Sequence, residues 1–131
     1  TYHDPCRLGR QMGIYDEPRE LINAVDGVEI VEMEHSGEDA MCCGVSSMMS
    51  CNENARSLRV TRMDEVRATG ADTMLTSCPK CVSHFECLKF EGDEAYADIE
   101  ILDVVSFLAR QVNEQKSQLG AETTVGETAE A

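Results

Sequence analysis

The sequence predicts an α/β domain: a small, mostly parallel sheet flanked by helices, with cysteine loops at the C-terminal ends of the strands. Short β-rich stretches alternate with helical patterns that carry their own start and stop signals. The apolar residues are mostly aliphatic, with no Trp, three Tyr and three Phe, which suits a core packed between layers. The cysteine groups follow predicted strands, at the edge where open α/β sheets place ligands.

The N-terminal part of the chain contains two predicted strands and one helix. Residues 1–4 read as the end of a short strand, which Pro5 breaks immediately before a cysteine. A helical pattern covers 17–25, with a proline in its first turn, and Gly27 ends it. Residues 28–33 are β-rich and partly alternating, so they predict a second strand.

The C-terminal part continues the alternation. A helix is predicted over 52–69, a strand over 72–77 and a helix from 79 to about 89. A last strand covers 99–102, and Asp103 caps a helix that runs through Val112 or beyond. Strands separated by helices in this order predict parallel pairing.

The helix over 52–69 is the longest amphipathic pattern in the chain. Its apolar residues Ala55, Leu58, Met63 and Val66 recur near every 3.6 positions, with Arg and Glu between them. Gly70 is the expected cap at its C-terminus. The pattern therefore predicts an apolar face on the core and charged residues on the surface.

The chain is divided into a domain and a tail. Residues 1–116 form the predicted cysteine-rich domain, whereas 117–131 lack a periodic apolar pattern and are rich in Thr, Glu, Gly and Ala. We expect the second segment to be a disordered acidic tail. Because the chain begins at Thr1, inside a strand, we also expect an upstream segment.

The charge of the chain excludes several classes of function. Twenty-five acidic and eleven basic residues give a net charge of −14, which repels nucleic acid and anionic lipid. No stretch approaches the roughly 20 apolar residues of a membrane span, and no secretion signal is recognisable. We predict a cytoplasmic protein, or one held at a membrane through a partner.

Five of the seven cysteines form a spaced pattern. Cys6, Cys42, Cys43, Cys78 and Cys81 read Cys-x35-Cys-Cys-x34-Cys-x2-Cys. In a chain without a secretion signal, reducing conditions disfavour disulfides, so this pattern favours metal or redox chemistry. The five residues are the candidate ligands of one metal centre.

The local geometry of these cysteines supports a shared site. Cys78 and Cys81 at a helix start present two thiols on one turn, where the helix N-terminus favours the thiolate form. Cys42 and Cys43 face opposite ways in an extended chain, so a shared site needs a turn there, and Gly44 allows one.

The number of candidate ligands narrows the choice of metal. Zinc takes four ligands, whereas five thiolates suit an iron–sulfur cluster with an additional sulfur ligand. Iron is therefore favoured, with zinc as the less favoured alternative. A third interpretation is that some of the five are ordinary buried cysteines.

The cysteines and their neighbours resemble a known family. The segments are Tyr2-His3-Asp4-Pro5-Cys6-Arg7-Leu8-Gly9-Arg10, then Cys42-Cys43-Gly44, then Thr69-Gly70-Ala71-Asp72 leading to Cys78-Pro79-Lys80-Cys81. Over about residues 1–110 the chain resembles the cysteine-rich CCG domain found in the B-type and D-type components of heterodisulfide reductases. The same domain occurs in iron–sulfur subunits of glycerol-3-phosphate, glycolate and lactate oxidising systems.

The resemblance implies a cofactor and a role. In the heterodisulfide reductase type, the five matching cysteines bind a non-cubane [4Fe–4S] cluster, and the domain commonly occurs as a tandem pair. The chain would then be part of an oxidoreductase that is active with partner subunits carrying flavin or ferredoxin-like iron–sulfur centres. Its cluster would accept electrons from those partners and reduce a disulfide.

The segment after the Cys-Cys-Gly motif selects between branches of the family. Where many lactate- and glycolate-type relatives have a glycine-rich run, this chain has Val45-Ser46-Ser47-Met48-Met49. The heterodisulfide reductase branch is therefore the first hypothesis, and an electron relay in a quinone-linked dehydrogenase is the second. A zinc-stabilised interaction domain without redox function is the third.

Five further residues near the motifs have open roles. We interpret Cys51 and Cys87 as buried cysteines, with ligation or a neighbouring thiol role as alternatives. His3 and His84 are interpreted as capping or surface residues that could otherwise hydrogen-bond the cluster. Lys80 either offsets cluster charge or is solvated.

Overall fold

The computed structural model describes residues 1–45, 52–92 and 94–125, the last eight of these by backbone alone. Its strands are β1 (Tyr2–His3), β2 (Thr73–Thr76) and β3 (Glu100–Asp103). Its helices are α1 (Gly9–Met12), α2 (Asp16–Asn23), α3 (Glu53–Thr69), α4 (Pro79–Phe90) and α5 (Val104–Val125), with short 3-10 turns at Gly37–Asp39 and Glu94–Tyr96.

The three strands form one parallel sheet in the order β1-β2-β3. His3 pairs with Thr76, which in turn pairs with Asp103, so the three strands end at nearly the same level. The loops that leave β1 and β2 there lead to Cys6 and Cys78. The predicted α/β class and parallel pairing are confirmed.

Two helical layers cover the sheet. On one face, Met74 of β2 packs in a core cluster with Met63 and Val66 of α3 and Phe85 and Leu88 of α4. On the other face, Leu75 of β2 packs with Tyr2 and residues of α2 and α5, namely Ile22, Val104 and Phe107. Because successive residues of a strand point to opposite faces, β2 serves both clusters.

The signals predicted for α3, α4 and the start of α5 lie where these helices begin and end, whereas α2 ends at Asn23, before the predicted stop at Gly27. Asn52 caps α3, since its Oδ1 accepts the N–H of Ala55 at 2.9 Å, and Gly70 ends the helix in the left-handed conformation. Pro79 occupies the first turn of α4. Asp103 caps α5 by accepting the N–H of Ser106 at 2.9 Å.

The prediction of a strand over 28–33 is wrong. This segment carries no strand pairing, although Val28 and Ile30 pack against the cluster on the α2–α5 side and Met33 joins the other cluster. An alternating pattern reports alternating burial, which an extended segment can satisfy without a hydrogen-bonded neighbour. The described part of the sheet therefore has three strands rather than four.

Helix α5 is longer than its apolar pattern indicates. It continues to Val125, nine residues past the predicted domain boundary at residue 116, and residues 126–131 lie outside the described part. Ala, Gln, Glu and Leu in the segment favour helix once a packed first half has nucleated it. The division into a domain over 1–116 and a tail over 117–131 stays a prediction.

Among the described residues, no helix combines the length and the apolar character needed to cross a bilayer.

Candidate metal centre

Two of the five predicted cysteines are in direct contact. Cys43 and Cys81 are both buried, and the S–H group of Cys81 donates to Sγ of Cys43 at 3.2 Å. Cys43 comes from the loop before α3, and Cys81 from the first turn of α4. The two thiols, distant in sequence, therefore meet inside the core cluster between α3, α4 and the sheet.

The contact between the two thiols separates their acidities. The hydrogen bond from Cys81, joined by one from His3, lowers the pKa of Cys43 to about 4, although burial opposes the shift. The same hydrogen bond, burial and the negative charge of the Cys43 thiolate raise the pKa of Cys81. The metal-free pair is therefore a thiolate and a thiol at neutral pH, and the thiolate is the form that binds metals.

His3 completes the buried group. It is 1% exposed, its ring lies within 4.8 Å of Sγ of Cys43, and it meets the Phe85 ring edge-on at a centroid distance of 5.0 Å. Burial is the main cause that lowers the pKa of His3, so the imidazole is neutral. The interpretation of His3 as a capping or surface residue is wrong.

Ligand atoms of His3, Cys43 and Cys81 all lie within 4.8 Å of one another. Thiol and imidazole groups are the donors that soft transition metals and iron–sulfur clusters use. Two buried donors beside this group lack a hydrogen-bond partner among the described residues: Thr76 Oγ1, next to His3 in the sheet, and Arg62 Nη2. A sulfur-rich group could accept from them, so the residues present fit an iron–sulfur cluster.

The other three predicted ligands surround this pair at different depths. Cys78 is half-buried at the N-cap of α4 and is close enough to Cys81 to contribute to the raised pKa of that thiol. Cys42 is half-buried, and its Sγ accepts the Gly44 N–H at 3.4 Å. Cys6 is exposed on the turn after β1. No contact within the described residues joins Cys6 or Cys42 to the other sulfurs, so all five as a set of ligands stay a prediction.

Gly44 allows the sharp turn that follows the paired cysteines. Its φ is +89°, and a Cβ there would lie 2.8 Å from the backbone oxygen of Ala55 and 3.3 Å from His84 Nε2. Only glycine fits both the left-handed backbone and the close approach of α3. The turn predicted at Gly44 is confirmed, whereas a shared site for Cys42 and Cys43 stays a prediction.

The loop that carries Cys6 is anchored through the residue that precedes Pro5. Asp4 is 4% exposed and accepts both Arg19 Nη1 at 2.7 Å and Nη2 at 2.9 Å, as well as the Gly37 N–H at 2.8 Å. Burial raises the pKa of Asp4, but these hydrogen bonds outweigh it and leave the pKa below its ordinary value. Asp4 thus ties the end of β1 to α2.

Helix α4 carries a further cysteine, Cys87, beyond the five predicted ligands. Cys87 is half-buried and lines a cavity of about 270 Å³ with Val45, Lys80, Ser83 and His84. His84 is only 7% exposed, so its interpretation as a surface residue is wrong. Cys51 lies outside the described residues, together with the rest of 46–51.

Helix α3 buries two arginines that were not predicted as site residues. Arg59 and Arg62 are 1% and 0% exposed, whereas the predicted core residue Leu58 is 38% exposed. Arg62 donates from Nε to Nδ1 of His3 at 3.1 Å. The signal was present, because Arg59 and Arg62 recur at helical spacing with Ala55 and Val66 on the buried face.

The chain is similar in sequence to a known domain family and to several known proteins. The family model described as the CCG cysteine-rich domain matches residues 1–86. The chain is 36% identical over 97% of its length to "Probable iron-sulfur-binding oxidoreductase FadF" of Bacillus subtilis, covering 17% of that protein. It is 35% identical over 84% of its length to the D-type component of the dihydromethanophenazine:CoB–CoM heterodisulfide reductase of Methanosarcina acetivorans, covering 27% of it.

A third relative widens the range of activities. The chain is 34% identical over 82% of its length to "EtfAB:quinone oxidoreductase" of Syntrophomonas wolfei, covering 16% of that protein. The chain therefore spans between about a sixth and a quarter of the curated relatives it matches. No solved structure matches the chain significantly. What the relatives share in name is oxidoreductase function.

Proposed function

Because the chain belongs to the cysteine-rich CCG domain family, we propose that Cys6, Cys42, Cys43, Cys78 and Cys81 hold one iron–sulfur cluster that transfers electrons. The observation that carries the proposal is the buried contact between Cys43 and Cys81. It brings a cysteine of the Cys-Cys-Gly motif against one of the Cys-Pro-Lys-Cys motif. Both motifs therefore serve one site.

The protein's own contribution lies in the state and placement of the sulfurs. Cys43 is held as a thiolate by hydrogen bonds from Cys81 and His3, so one ligand is already deprotonated at neutral pH. Cys78 at the N-cap of α4 faces the positive end of that helix, which favours negative charge on sulfur. Burial of Cys43 and Cys81 keeps water from this side of the site. When bound, the cluster supplies one-electron redox chemistry there.

We assign the cluster to the non-cubane [4Fe–4S] type and the activity to heterodisulfide reduction. The resemblance to the D-type component of heterodisulfide reductase supports both, as does the number of five candidate thiolates. In the balanced reaction, two electrons from partner flavin or iron–sulfur subunits and two protons convert one disulfide into two thiols. The chain has no cofactor other than the cluster in this scheme, so the partners supply the electrons.

A quinone-linked relay is the second candidate. The similarity to the EtfAB:quinone oxidoreductase and the comparable identity to the iron–sulfur-binding oxidoreductase FadF favour it. In that case the cluster passes electrons between partner subunits and no disulfide is cleaved. A zinc-stabilised interaction domain is the third candidate, and it rests on the thiols alone.

Replacement of each of the five cysteines by serine tests the cluster assignment. We expect every replacement to change the electron paramagnetic resonance spectrum of the reconstituted chain, because each removes a ligand. A cubane spectrum that survives any one of the five replacements would contradict the non-cubane assignment. The Cys87→Ser variant is the control, and its spectrum should match that of the wild type.

The activity is tested on the full-length protein with its partner subunits. Reduction of thiol disulfides with a low-potential donor, and no electron transfer to quinones, is the expected result. Quinone reduction without disulfide reduction would replace the first candidate by the second.

A further inference from the structure

The ring of His3 lies between a sulfur and a cation in the interior of the domain. The ring lies within 4.8 Å of Sγ of Cys43, and its Nδ1 lies 3.1 Å from Arg62 Nε. Edge-on packing against Phe85, at an interplanar angle of 85°, fixes the plane of the ring. The packing against Phe85 and the contact with Arg62 therefore hold the ring in one orientation.

The neighbour of Nδ1 decides where the ring proton is. A guanidinium group has five N–H donors and no acceptor, and it stays protonated in proteins. Nδ1 of His3 must therefore be the acceptor of the hydrogen bond from Arg62 Nε–H. The proton of the neutral ring is then on Nε2, so Nε2–H is the one hydrogen-bond donor that the ring can offer to Cys43.

Arg62 is itself held in one orientation. Nη1 donates to the backbone oxygen of His35 at 2.6 Å and pairs with the Glu65 carboxylate. The side chain of Arg62 is fully buried, whereas that of Glu65 is 10% exposed. Because the buried guanidinium is paired with a carboxylate and its N–H groups are held by these partners, it cannot easily rotate away from the imidazole.

These contacts argue against His3 as a metal ligand, although it lies among the thiols. Its nitrogen lies within 4.8 Å of both Cys43 and Cys81, which is the arrangement of a metal ligand. A neutral ligand histidine, however, carries its proton on the nitrogen away from the metal. In His3 that nitrogen already receives the N–H of Arg62.

We infer that Arg62 is a positioning residue that keeps His3 a fixed Nε2–H donor to Cys43, so that His3 tunes the reduction potential of the centre without ligating it. Donation of a hydrogen bond to a ligand sulfur withdraws negative charge and favours the reduced cluster. His3 therefore raises the potential. The tuning rests on the proposed function, whereas the position of the proton does not.

The tautomer is tested in the metal-free chain. Long-range proton–nitrogen correlation spectra of the 131-residue chain labelled with ¹⁵N-histidine report which nitrogen of each ring carries the proton. We expect His3 to be protonated at Nε2 alone. A proton on Nδ1, or on both nitrogens, overturns the inference whether or not the chain binds iron.

The tuning is tested in the reconstituted chain by redox titration followed by electron paramagnetic resonance. His3→Phe keeps a ring against Phe85 but removes the donor, and Arg62→Lys keeps the charge but loses the planar fork. We expect both variants to have a more negative potential than the wild type. Arg59→Lys is the matched control, because Arg59 is equally buried on α3 but pairs with Glu91, and its potential should be unchanged.

Pulsed resonance on the reduced wild type separates donor from ligand. A weak ¹⁵N coupling from His3, transmitted through a hydrogen bond, is expected. The strong coupling of a directly bound nitrogen would overturn the inference, as would unchanged potentials in both variants. If a variant does not fold, the wild-type coupling still decides. Absence of iron in the reconstituted chain would count against the proposed function alone.

Discussion

The Sγ atoms of Cys43 and Cys81 lie 3.2 Å apart, although 38 positions separate the two residues in the chain. Each belongs to a different cysteine motif and to a different helix junction, and both are about 2% exposed. The contact makes them chemically unequal, with the proton on Cys81. It places one residue of each motif in the same buried cluster.

The inequality of the two thiols predicts a thiolate in the metal-free chain. The pKa of Cys43 is lowered to about 4, so ultraviolet absorption should reveal a thiolate near neutral pH that protonates only as the pH falls to about 4. Since this pKa lies below the value of a free cysteine, the ion stabilises the fold above that free value. The stabilisation decreases as the pH falls through the lowered pKa.

Cys43→Ser should lower this absorption, and Cys87→Ser, which removes a half-buried thiol of α4, should preserve it. Thiolate absorption that is absent at neutral pH, or that is undiminished in Cys43→Ser, contradicts the predicted state of the pair.

The turn after the paired cysteines predicts an unequal response of two glycines to alanine. Gly44 and Gly13 both have positive φ, but a Cβ meets the Ala55 oxygen at 2.8 Å only at Gly44, and nothing within 4 Å at Gly13. Gly13→Ala should lower the free energy of unfolding by about 1–2 kcal/mol, the cost of the left-handed backbone. Gly44→Ala should lower it by at least about 3 kcal/mol, since α3 must move as well. Equal losses in urea unfolding would show that the close approach is absent.

Because Asp4 anchors the Cys6 loop, its replacement by asparagine should destabilise the fold. Asp4→Asn removes the charge that accepts the fork of Arg19. The free energy of unfolding should fall by about 1.5–3 kcal/mol, the range for buried hydrogen bonds to charged groups. The control is Glu100→Gln, which breaks the exposed pair with Arg110 and should cost at most about 1 kcal/mol. Thermal or urea unfolding of the metal-free chain measures both, and a loss for Asp4→Asn no larger than that of the control contradicts the anchoring role.

Local signals in the sequence were sufficient for most of the fold. Helix ends are marked by residues that suit the unpaired backbone groups there. These are the caps Asn52, Gly70 and Asp103, and Pro79 in the first turn of α4. The parallel order of strands followed from the helices between them. These features depend on neighbours in sequence, which is why the sequence predicts them.

Features that depend on distant partners were not predicted. The segment 28–33 has the alternation of a strand, yet only a hydrogen-bonded neighbour makes an extended segment a strand. Arginine is typical of surface positions, so the burial of Arg62 was not expected. It depends on two partners, His3 of β1 and Glu65 of the next turn of α3. The motif spacing singled out Cys43 and Cys81, but not which of them carries the proton.

The metal content of the chain after anaerobic reconstitution with iron and sulfide tests the central claim most directly. The proposed centre predicts about four irons and four sulfides per chain. In Cys81→Ser the content should fall sharply, and in Cys87→Ser it should stay at the wild-type value. About one zinc per chain, with neither iron nor sulfide retained, would contradict the claim that these cysteines form an iron–sulfur centre.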